Sequence, residues 1–251
     1  MPGPRYDFRT SRLYVATSLA AGTGIALDAA QANHLGNVLR LATGDSVLVF
    51  NGRDGEWRGT LARVGKRALA VEVVECTRPQ THALDLHYLF APLKHARLDY
   101  MVQKAVEMGA SHLQPVLTRH AQIARVNLDR MRANAVEAAE QCGILTLPEV
   151  AAPLSLAAAI AARDPVRLLV FCDEDADLTD PVAALRAVGR TGAPALAVLI
   201  GPEGGFAADE RALLLGLPNV VRLALGPRIL RADTAAVAAL ALVGAVLGDW
   251  Q

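Results

Sequence analysis

One stretch constrains the fold of this chain more than any other: an apolar run at residues 195–200 that ends in Gly-Pro-Glu-Gly-Gly-Phe at 201–206. An uninterrupted apolar run between turn-forming residues is typical of a strand buried in the centre of a sheet. Gly204 and Gly205 permit backbone angles that are closed to other residues. The stretch therefore predicts a central strand that ends in a ligand-binding loop.

A second stretch downstream has the same arrangement. The strand-like run at 221–225 is followed by Gly226-Pro227 and then by Arg228 and Arg231. Parallel strands of an open α/β sheet end at one edge, and such folds bind ligands at that edge. We therefore expect two special loops there. The alternative is a pair of ordinary strand-to-helix turns that bind nothing.

The composition is that of a globular protein with a large core. The chain has 251 residues, 53% of them hydrophobic, which suits one large or two modest domains. Residues 1–12 are polar and no apolar stretch follows them, so we expect no signal peptide, no membrane-spanning helix and a cytoplasmic location. The three cysteines are scattered without metal-binding spacing, so we expect neither a disulfide framework nor a metal.

The net charge of zero hides an asymmetry along the chain. Residues 1–132 carry 17 Lys and Arg against 11 Asp and Glu, whereas residues 133–251 carry 8 against 14. An excess of cations favours a polyanionic partner for the front half, because phosphates release counterions when they are bound. The alternative is an ordinary solvated surface.

The front of the chain has the pattern of a small β-barrel or curled sheet. Short strand-like runs at 47–50, 56–64 and 68–74 are separated by turn-forming clusters, among them Asp54-Gly55. Basic side chains on such a unit suit RNA, although they serve solubility equally well. The basic residues of this part are Arg40, Arg53, Arg58, Arg63, Lys66 and Arg67.

A helix is predicted over residues 28–41, before these hairpins. Asp28 is in position to cap its first turn, and Leu35, Val38 and Leu39 fall on one side at helical spacing.

A polar break with a proline at residues 77–81 marks a domain boundary, with domains at 1–78 and 79–251. Strands then alternate with helices, which predicts an α/β domain with a mostly parallel sheet. The amphipathic helix at 97–108 follows a strand end, where a cleft is expected. Lys94, His95, Arg97 and Lys104 form a basic group there, or simply the exposed face of the helix.

A loop, a histidine and a helix can each be interpreted from their residues alone. The acidic loop at 173–177 lacks the spacing of a calcium loop and is interpreted as solvated. His120 is a lone histidine in a polar loop and is interpreted as a surface residue. The helix at 233–247 is apolar on every face, so it must be buried in the monomer or against another subunit. Its small residues favour a homodimer.

These motifs together resemble a known family. The segments Leu-Ile-Gly-Pro-Glu-Gly-Gly at 199–205 and Leu-Gly-Pro-Arg-Ile-Leu-Arg-Ala-Asp-Thr-Ala at 225–235 are similar to the closing motifs of the small-subunit ribosomal RNA uridine-N3 methyltransferases. Earlier segments agree in the same order: His34-Leu35 with Val38-Leu39-Arg40, Lys94 with Arg97, Gln103-Lys104 with Glu107 and Gly109, and Glu140-Gln141-Cys142-Gly143.

The resemblance implies a PUA-like β-barrel followed by an α/β methyltransferase domain whose sheet carries a deep trefoil knot. It also implies S-adenosylmethionine as cofactor, a homodimer formed through the last helix, and the small-subunit (16S) ribosomal RNA or an assembled 30S subunit as partner. The reaction implied is methylation of N3 of one uridine, without a metal. Direct transfer suits the chain, since no nucleophile and base are paired in its sequence.

The resemblance also implies roles for individual residues. Arg231 would hold the uracil or its developing negative charge, and Asp233 would orient Arg231 or help remove the proton. The cofactor residues would be Leu199, Gly201, Gly205, Leu225, Gly226 and Leu230. Glu203 would either face the cationic groups of the cofactor or accept hydrogen bonds from amides of its own loop. The residues expected to contact RNA are Arg12, Arg40, Lys94, Arg97, Lys104 and Arg228.

Two departures from the family pattern leave alternatives open. Asp233 stands where the family commonly has glutamate, and Ile144 stands where arginine is usual after Cys142-Gly143. One alternative is therefore a catalytically idle RNA-binding factor for ribosome assembly on the same scaffold. A Rossmann enzyme is a third hypothesis, against which stands the absence of a Gly-x-Gly-x-x-Gly motif after any strand.

Overall fold

The computed structural model describes residues 7–64, 68–177, 180–188 and 195–250. The chain forms two compact units, one of Met1–His82 with Ala139–Leu147 and one of Ala83–Ala138 with Pro148–Gln251. Both the small curled sheet and the parallel α/β sheet expected from the sequence are present. The first unit also takes up residues 139–147, which no local sequence pattern indicated.

The first unit is built on a five-stranded sheet in the order β1-β3-β4-β5-β2. Neighbouring strands are antiparallel except for β1 and β3, which are parallel. The predicted turn at 65–67 lies outside the described residues. The strands are β1 (Arg12–Tyr14), β2 (Gly24–Ala26), β3 (Ser46–Phe50), β4 (Glu56–Val64) and β5 (Ala68–Arg78).

The helix predicted at 28–41 is shorter and changes its winding. Helix α1 (Ala29–Asn33) is capped by Asp28 as expected, and the π-helical segment His34–Val38 continues it. The expected common apolar side is wrong, because Leu35 is buried whereas Val38 is 61% exposed and Leu39 38%. In a π-helix the hydrogen bonds span five residues, so side chains three and four apart no longer stack.

A buried carboxylate holds the first unit together. Glu56 is 2% exposed. It accepts hydrogen bonds from Arg12 Nε at 2.8 Å, Arg78 Nη2 at 2.6 Å and the Thr77 hydroxyl at 2.8 Å. Arg78 Nη2 also donates to the carbonyl of Gly143 at 2.9 Å, and this hydrogen bond connects the segment 139–147 to the first sheet. Burial alone would raise the pKa of Glu56, but the hydrogen bonds from Arg78, Arg12 and Thr77 outweigh it and lower the pKa.

The second unit is a seven-stranded, all-parallel sheet in the order β12-β10-β11-β6-β7-β8, with β9 pairing β7. The strands are β6 (Leu86–Phe90), β7 (His112–Leu117), β8 (Glu149–Val150), β9 (Leu154–Ser155), β10 (Leu168–Cys172), β11 (Leu196–Ile200) and β12 (Val220–Leu223). The helices are α2 (His95–Glu107), α3 (Leu128–Cys142), α4 (Leu156–Ala162), α5 (Pro181–Arg186), α6 (Ala208–Leu215) and α7 (Ala232–Val246).

Strand β11 is the central strand predicted from the apolar run. All five of its residues are buried, and it lies between β10 and β6. Leu199 packs with Phe171 and Phe206 in the core on one face of the sheet. Because side chains alternate along a strand, the neighbouring Ile200 points to the other face.

Helix α7 is buried along one side, through Ala235, Ala236, Ala239, Leu240 and Val243. It packs against α2 and β11. Val237, Ala238, Ala241 and Leu242 remain half-exposed. Among the described residues, no helix combines the length and the apolar character needed to span a bilayer.

Replacing the buried carboxylate should destabilise the first unit. We expect Glu56→Gln to lower the free energy of unfolding by about 3 kcal/mol, because two arginines lose their compensating charge. The folded-state pKa of Glu56 is lowered from 4.5, so its contribution exists above that pH and is lost as the pH falls. Chemical denaturation at pH 7 measures the loss.

The matched control is Glu75→Gln. Glu75 pairs with Arg58 at 3.2 Å, but its side chain is 63% exposed, so its loss should cost less than about 1 kcal/mol. Equal losses for the two variants would contradict the role given to Glu56.

Candidate active-site cavity

A cavity of about 310 Å³ lies at the carboxyl ends of β10, β11 and β12. Cys172 at the end of β10 is in register with Ile200 on one side and Leu223 on the other. The three following loops therefore start at one level and enclose the space together with the first turn of α7. The two loops predicted from the sequence meet at one cavity of ligand size.

The cavity combines apolar walls with a few charged groups. The apolar lining includes Ile200, Leu223, Leu225, Leu230 and Ala235, and the charged side chains are Asp173, Glu174, Glu203 and Arg228. Cys172 also lines it, and burial raises the pKa of its thiol to about 12. A thiol that stays protonated is a poor nucleophile, so Cys172 forms part of the wall.

The residues expected to bind a cofactor divide into two groups. Gly201, Glu203, Leu225, Gly226 and Leu230 line the cavity. Leu199 and Gly205 are outside the lining: Leu199 packs in the core on the opposite face of the sheet, and Gly205 is buried within the loop.

Gly205 illustrates how closely the loop is packed. Its φ is +67°, and a Cβ there would lie 1.9 Å from the carboxylate oxygen Oε1 of Glu174. A side chain at position 205 would strain the left-handed backbone and displace the flexible end of the Glu174 side chain. The carboxylate of Glu174 on the cavity wall therefore occupies space that a side chain at position 205 would take.

His120 is exposed, as expected from the sequence, and it also contacts the glycine loop. Its Nδ1 lies 3.1 Å from the carbonyl oxygen of Gly204 and 3.2 Å from that of Gly205. Carbonyl oxygens only accept, so Nδ1 carries a proton and donates it. The sequence offered no signal for this contact, since the partners are more than eighty residues apart.

The acidic loop after β10 is exposed at Glu174, Asp175 and Asp177, as expected, whereas its first residue is buried. Asp173 is 2% exposed. It accepts from Arg211 Nε at 2.9 Å and from Arg222 Nε at 2.8 Å. Burial alone would raise the pKa of Asp173, but these hydrogen bonds lower it. Arg211 also pairs with Glu174 at 3.4 Å and Asp175 at 3.2 Å, so one guanidinium gathers three carboxylates of the loop.

Asp233 has a different partner from the one expected. Arg97 on α2 donates to both of its oxygens, from Nε at 2.9 Å and Nη2 at 3.1 Å. The remaining nitrogen, Nη1, donates to Glu203 Oε1 at 2.5 Å. The hydrogen bonds from Arg97 lower the pKa of Asp233. The expectation that Asp233 orients Arg231 is therefore corrected: its carboxylate holds Arg97.

Arg228 and Arg231 lie on the loop between β12 and α7. Both are exposed, and Arg228 lines the cavity. Arg231 occupies the N-cap position of α7. Neither guanidinium bonds to any residue that the structure describes. Two uncommitted positive charges thus stand next to the cavity.

The other residues expected to contact RNA differ in their exposure and in their ion pairs. Arg12 is buried and bonded to Glu56, so its guanidinium acts inside the first unit and is not available at the surface. Arg40 is exposed, with a φ of +57°. Lys94 is exposed at the N-cap of α2, whereas Lys104 pairs with Glu107 at 2.6 Å.

The motif at 140–143 serves the first unit. Glu140 accepts from the backbone N–H of Tyr14 at 2.8 Å, and Ile144 packs on the cluster of Phe50, Ala139 and Leu145. No histidine, cysteine and carboxylate cluster suited to a metal ion occurs among the residues described.

Comparison with known proteins covers both units. A family model described as an RNA methyltransferase domain matches residues 80–244, and one described as an RNA methyltransferase PUA domain matches residues 27–74.

Individual relatives match over nearly the whole chain. The chain is 30% identical to the ribosomal RNA small subunit methyltransferase E of Rickettsia conorii, covering 93% of this chain and 94% of the relative. It is 32% identical to the protein of that name from Synechocystis, covering 94% and 78%. The crystal structure of a ribosomal RNA small subunit methyltransferase E from Neisseria gonorrhoeae, bound to S-adenosylmethionine, matches with a TM-score of 0.84 at 25% identity, covering 97% and 100%.

Proposed function

The chain belongs to the RNA methyltransferase family, and we propose that it transfers a methyl group from S-adenosylmethionine to N3 of a uridine in small-subunit ribosomal RNA. The observation that carries the proposal is the cavity that the two motif loops form at the carboxyl edge of the parallel sheet. Relatives named for small-subunit ribosomal RNA cover more than nine tenths of the chain, which supports the same substrate class.

The residues of the cavity fit S-adenosylmethionine. Apolar side chains such as Leu225 and Leu230 suit the adenine ring, and the carboxylates of Glu174 and Glu203 suit its cationic sulfonium and ammonium groups. Gly226, with a φ of +97° and open space around it, lets the backbone approach a ligand closely. When bound, the cofactor would supply an electrophilic methyl group.

The protein must then align the uridine and stabilise its charge. An in-line transfer depends on holding the two reacting atoms in a near-attack geometry. Loss of the N3 proton places negative charge on the uracil, which needs positive charge nearby. We assign this role to Arg231, which is uncommitted in the structure, and we assign phosphate binding to Arg228.

The first unit carries a candidate RNA surface around Arg40. The π-helical segment ends there, Val38 and Leu39 are exposed beside it, and Arg40 has left-handed backbone angles. Such strained backbone is typical of binding sites. An arginine next to exposed apolar side chains suits an unstacked base and its phosphate.

The assembly and topology are proposed on separate grounds. The half-exposed stripe of Val237, Ala238, Ala241 and Leu242 on α7 supports a homodimer through this helix. The family resemblance supports a trefoil knot in the second unit. Action on ribosomal RNA, or on the assembled 30S subunit, supports a cytoplasmic location.

Loss of the protein should remove one methyluridine from small-subunit ribosomal RNA. Mass-spectrometric mapping of this RNA from cells with and without the gene measures the change, and adding the purified protein back should restore the mark. Free RNA and 30S subunits, tested separately, identify the substrate. An unchanged map would favour the alternative, an idle ribosome-assembly factor on this scaffold.

Removal of the Arg231 guanidinium should abolish methyl transfer without affecting folding. We expect Arg231→Ala to reduce kcat by about 100-fold or more, because the uracil anion loses its counter-charge. The thermal midpoint should stay at the wild-type value, since the side chain is exposed. Arg186→Ala, an exposed arginine at the end of α5, is the control. Wild-type turnover by Arg231→Ala would refute the assigned role.

Substitution of Gly205 should weaken cofactor binding beyond the cost of backbone strain. Gly205→Ala and Gly109→Ala both force alanine into a left-handed conformation, at about 1 kcal/mol of stability each. A Cβ meets Glu174 at Gly205 but meets nothing within 4 Å at Gly109. We expect only Gly205→Ala to raise the Kd for S-adenosylmethionine, measured by calorimetry. Equal Kd values would contradict the role of Glu174.

A further inference from the structure

Arg97 joins three segments that follow different strands of the second unit. It lies in the first turn of α2, after β6, and bonds to Glu203 in the loop after β11 and to Asp233 in the first turn of α7, after β12. Gln122, in the loop after β7, donates to Glu203 Oε2 at 3.4 Å. We call the group of Arg97, Glu203 and Asp233 the arginine bridge.

We propose that Arg97 is a positioning residue for the cofactor, which holds the two motif loops closed around the cavity through the arginine bridge. The inference rests on the proposed function, since it concerns the same cavity. It replaces the expectation that Arg97 contacts RNA.

The positions of the bridged residues support this role. Glu203 lines the cavity, and so do Ala232 and Ala235 on either side of Asp233. Glu203 and Asp233 therefore belong to two different segments that line one space. Two carboxylates brought together would repel each other, and the guanidinium between them turns this repulsion into attraction. Without Arg97 the walls are expected to move apart.

The charge of the bridge argues against a phosphate contact at Arg97. All three of its guanidinium nitrogens donate to Glu203 or Asp233. One positive and two negative groups leave a net charge of −1, which repels a phosphate. The same excess of negative charge favours a cationic ligand, in agreement with S-adenosylmethionine.

The geometry also distinguishes arginine from lysine. The contact with Asp233 is bidentate, with a third nitrogen left for Glu203, and an ammonium group cannot reproduce this fork. A lysine at position 97 would keep the charge and lose the simultaneous hold on both walls. The cofactor affinity of Arg97→Lys therefore shows how much of the role depends on the geometry of the guanidinium and how much on its charge.

The test compares Arg97→Met and Arg97→Lys with a control on helix α3. Arg130 of α3 makes a bidentate pair with Asp99 of α2, at 2.8 and 2.6 Å, and neither residue lines the cavity. Arg130→Met therefore removes a bidentate ion pair of α2 that lies outside the cavity lining. The measurements are the Kd for S-adenosylmethionine by calorimetry, KM and kcat for methyl transfer, and the salt dependence of binding to a small-subunit ribosomal RNA fragment without cofactor.

We expect Arg97→Met to raise the Kd and the KM for S-adenosylmethionine at least tenfold, Arg97→Lys to fall between it and the wild type, and Arg130→Met to change neither. RNA affinity and its salt slope should stay at wild-type values. The inference is overturned if Arg97→Met binds the cofactor normally but lowers RNA affinity and reduces the salt slope by about one, as loss of a phosphate contact would.

A double-mutant cycle keeps the test informative if Arg97→Met folds poorly. Glu203→Gln removes one arm of the bridge, and its effect on cofactor affinity should be smaller in an Arg97→Lys background than in the wild type. Additive effects would overturn the bridge. Failure of the wild-type chain to bind S-adenosylmethionine would overturn the proposed function as well, whereas equal binding by wild type and Arg97→Met overturns only the bridge.

Discussion

The parallel register around β11 is the constraint on which the rest of the second unit depends. Because β11 pairs in parallel with both β10 and β6, and β10 with β12, the loops that follow these strands emerge at one edge. Burial on both faces explains why β11 is apolar at every position. The cavity, its charged groups and the first turn of α7 all lie at that shared edge.

Ion pairs inside the units reinforce the pairing of strands and also link loops and helices to the sheets. Glu56 binds arginines on two other strands of the first sheet. Asp173 binds arginines of α6 and β12, and Arg97 binds carboxylates after β11 and β12. In each case one group faces several opposite charges, which offsets the cost of leaving water. Such networks specify geometry more than they add stability.

The distribution of charge around the cavity relates the fold to the proposed reaction. The walls carry Glu174 and Glu203, whereas the uncommitted guanidinium groups of Arg228 and Arg231 stand on the loop that leads into α7. A cationic cofactor and an anionic RNA substrate would thus meet opposite charges on different segments of one site. In the proposed reaction, this separation would let both reactants bind without one binding surface neutralising the other.

Much of the fold and the position of the site followed from the sequence alone, because short-range patterns carry that information. The apolar run before the glycines at 201–205 predicted a central strand, Asp28 predicted a helix cap, and two Gly-Pro loops predicted a shared ligand edge. Contacts between residues distant in sequence became evident only in the folded chain. Arg97 faces Asp233 across 136 positions, and local spacing carries no record of that pairing. Most of the residues that line the cavity were therefore predictable from the chain, whereas the ion-pair partners around it depended on how the parallel strands bring distant loops to one edge.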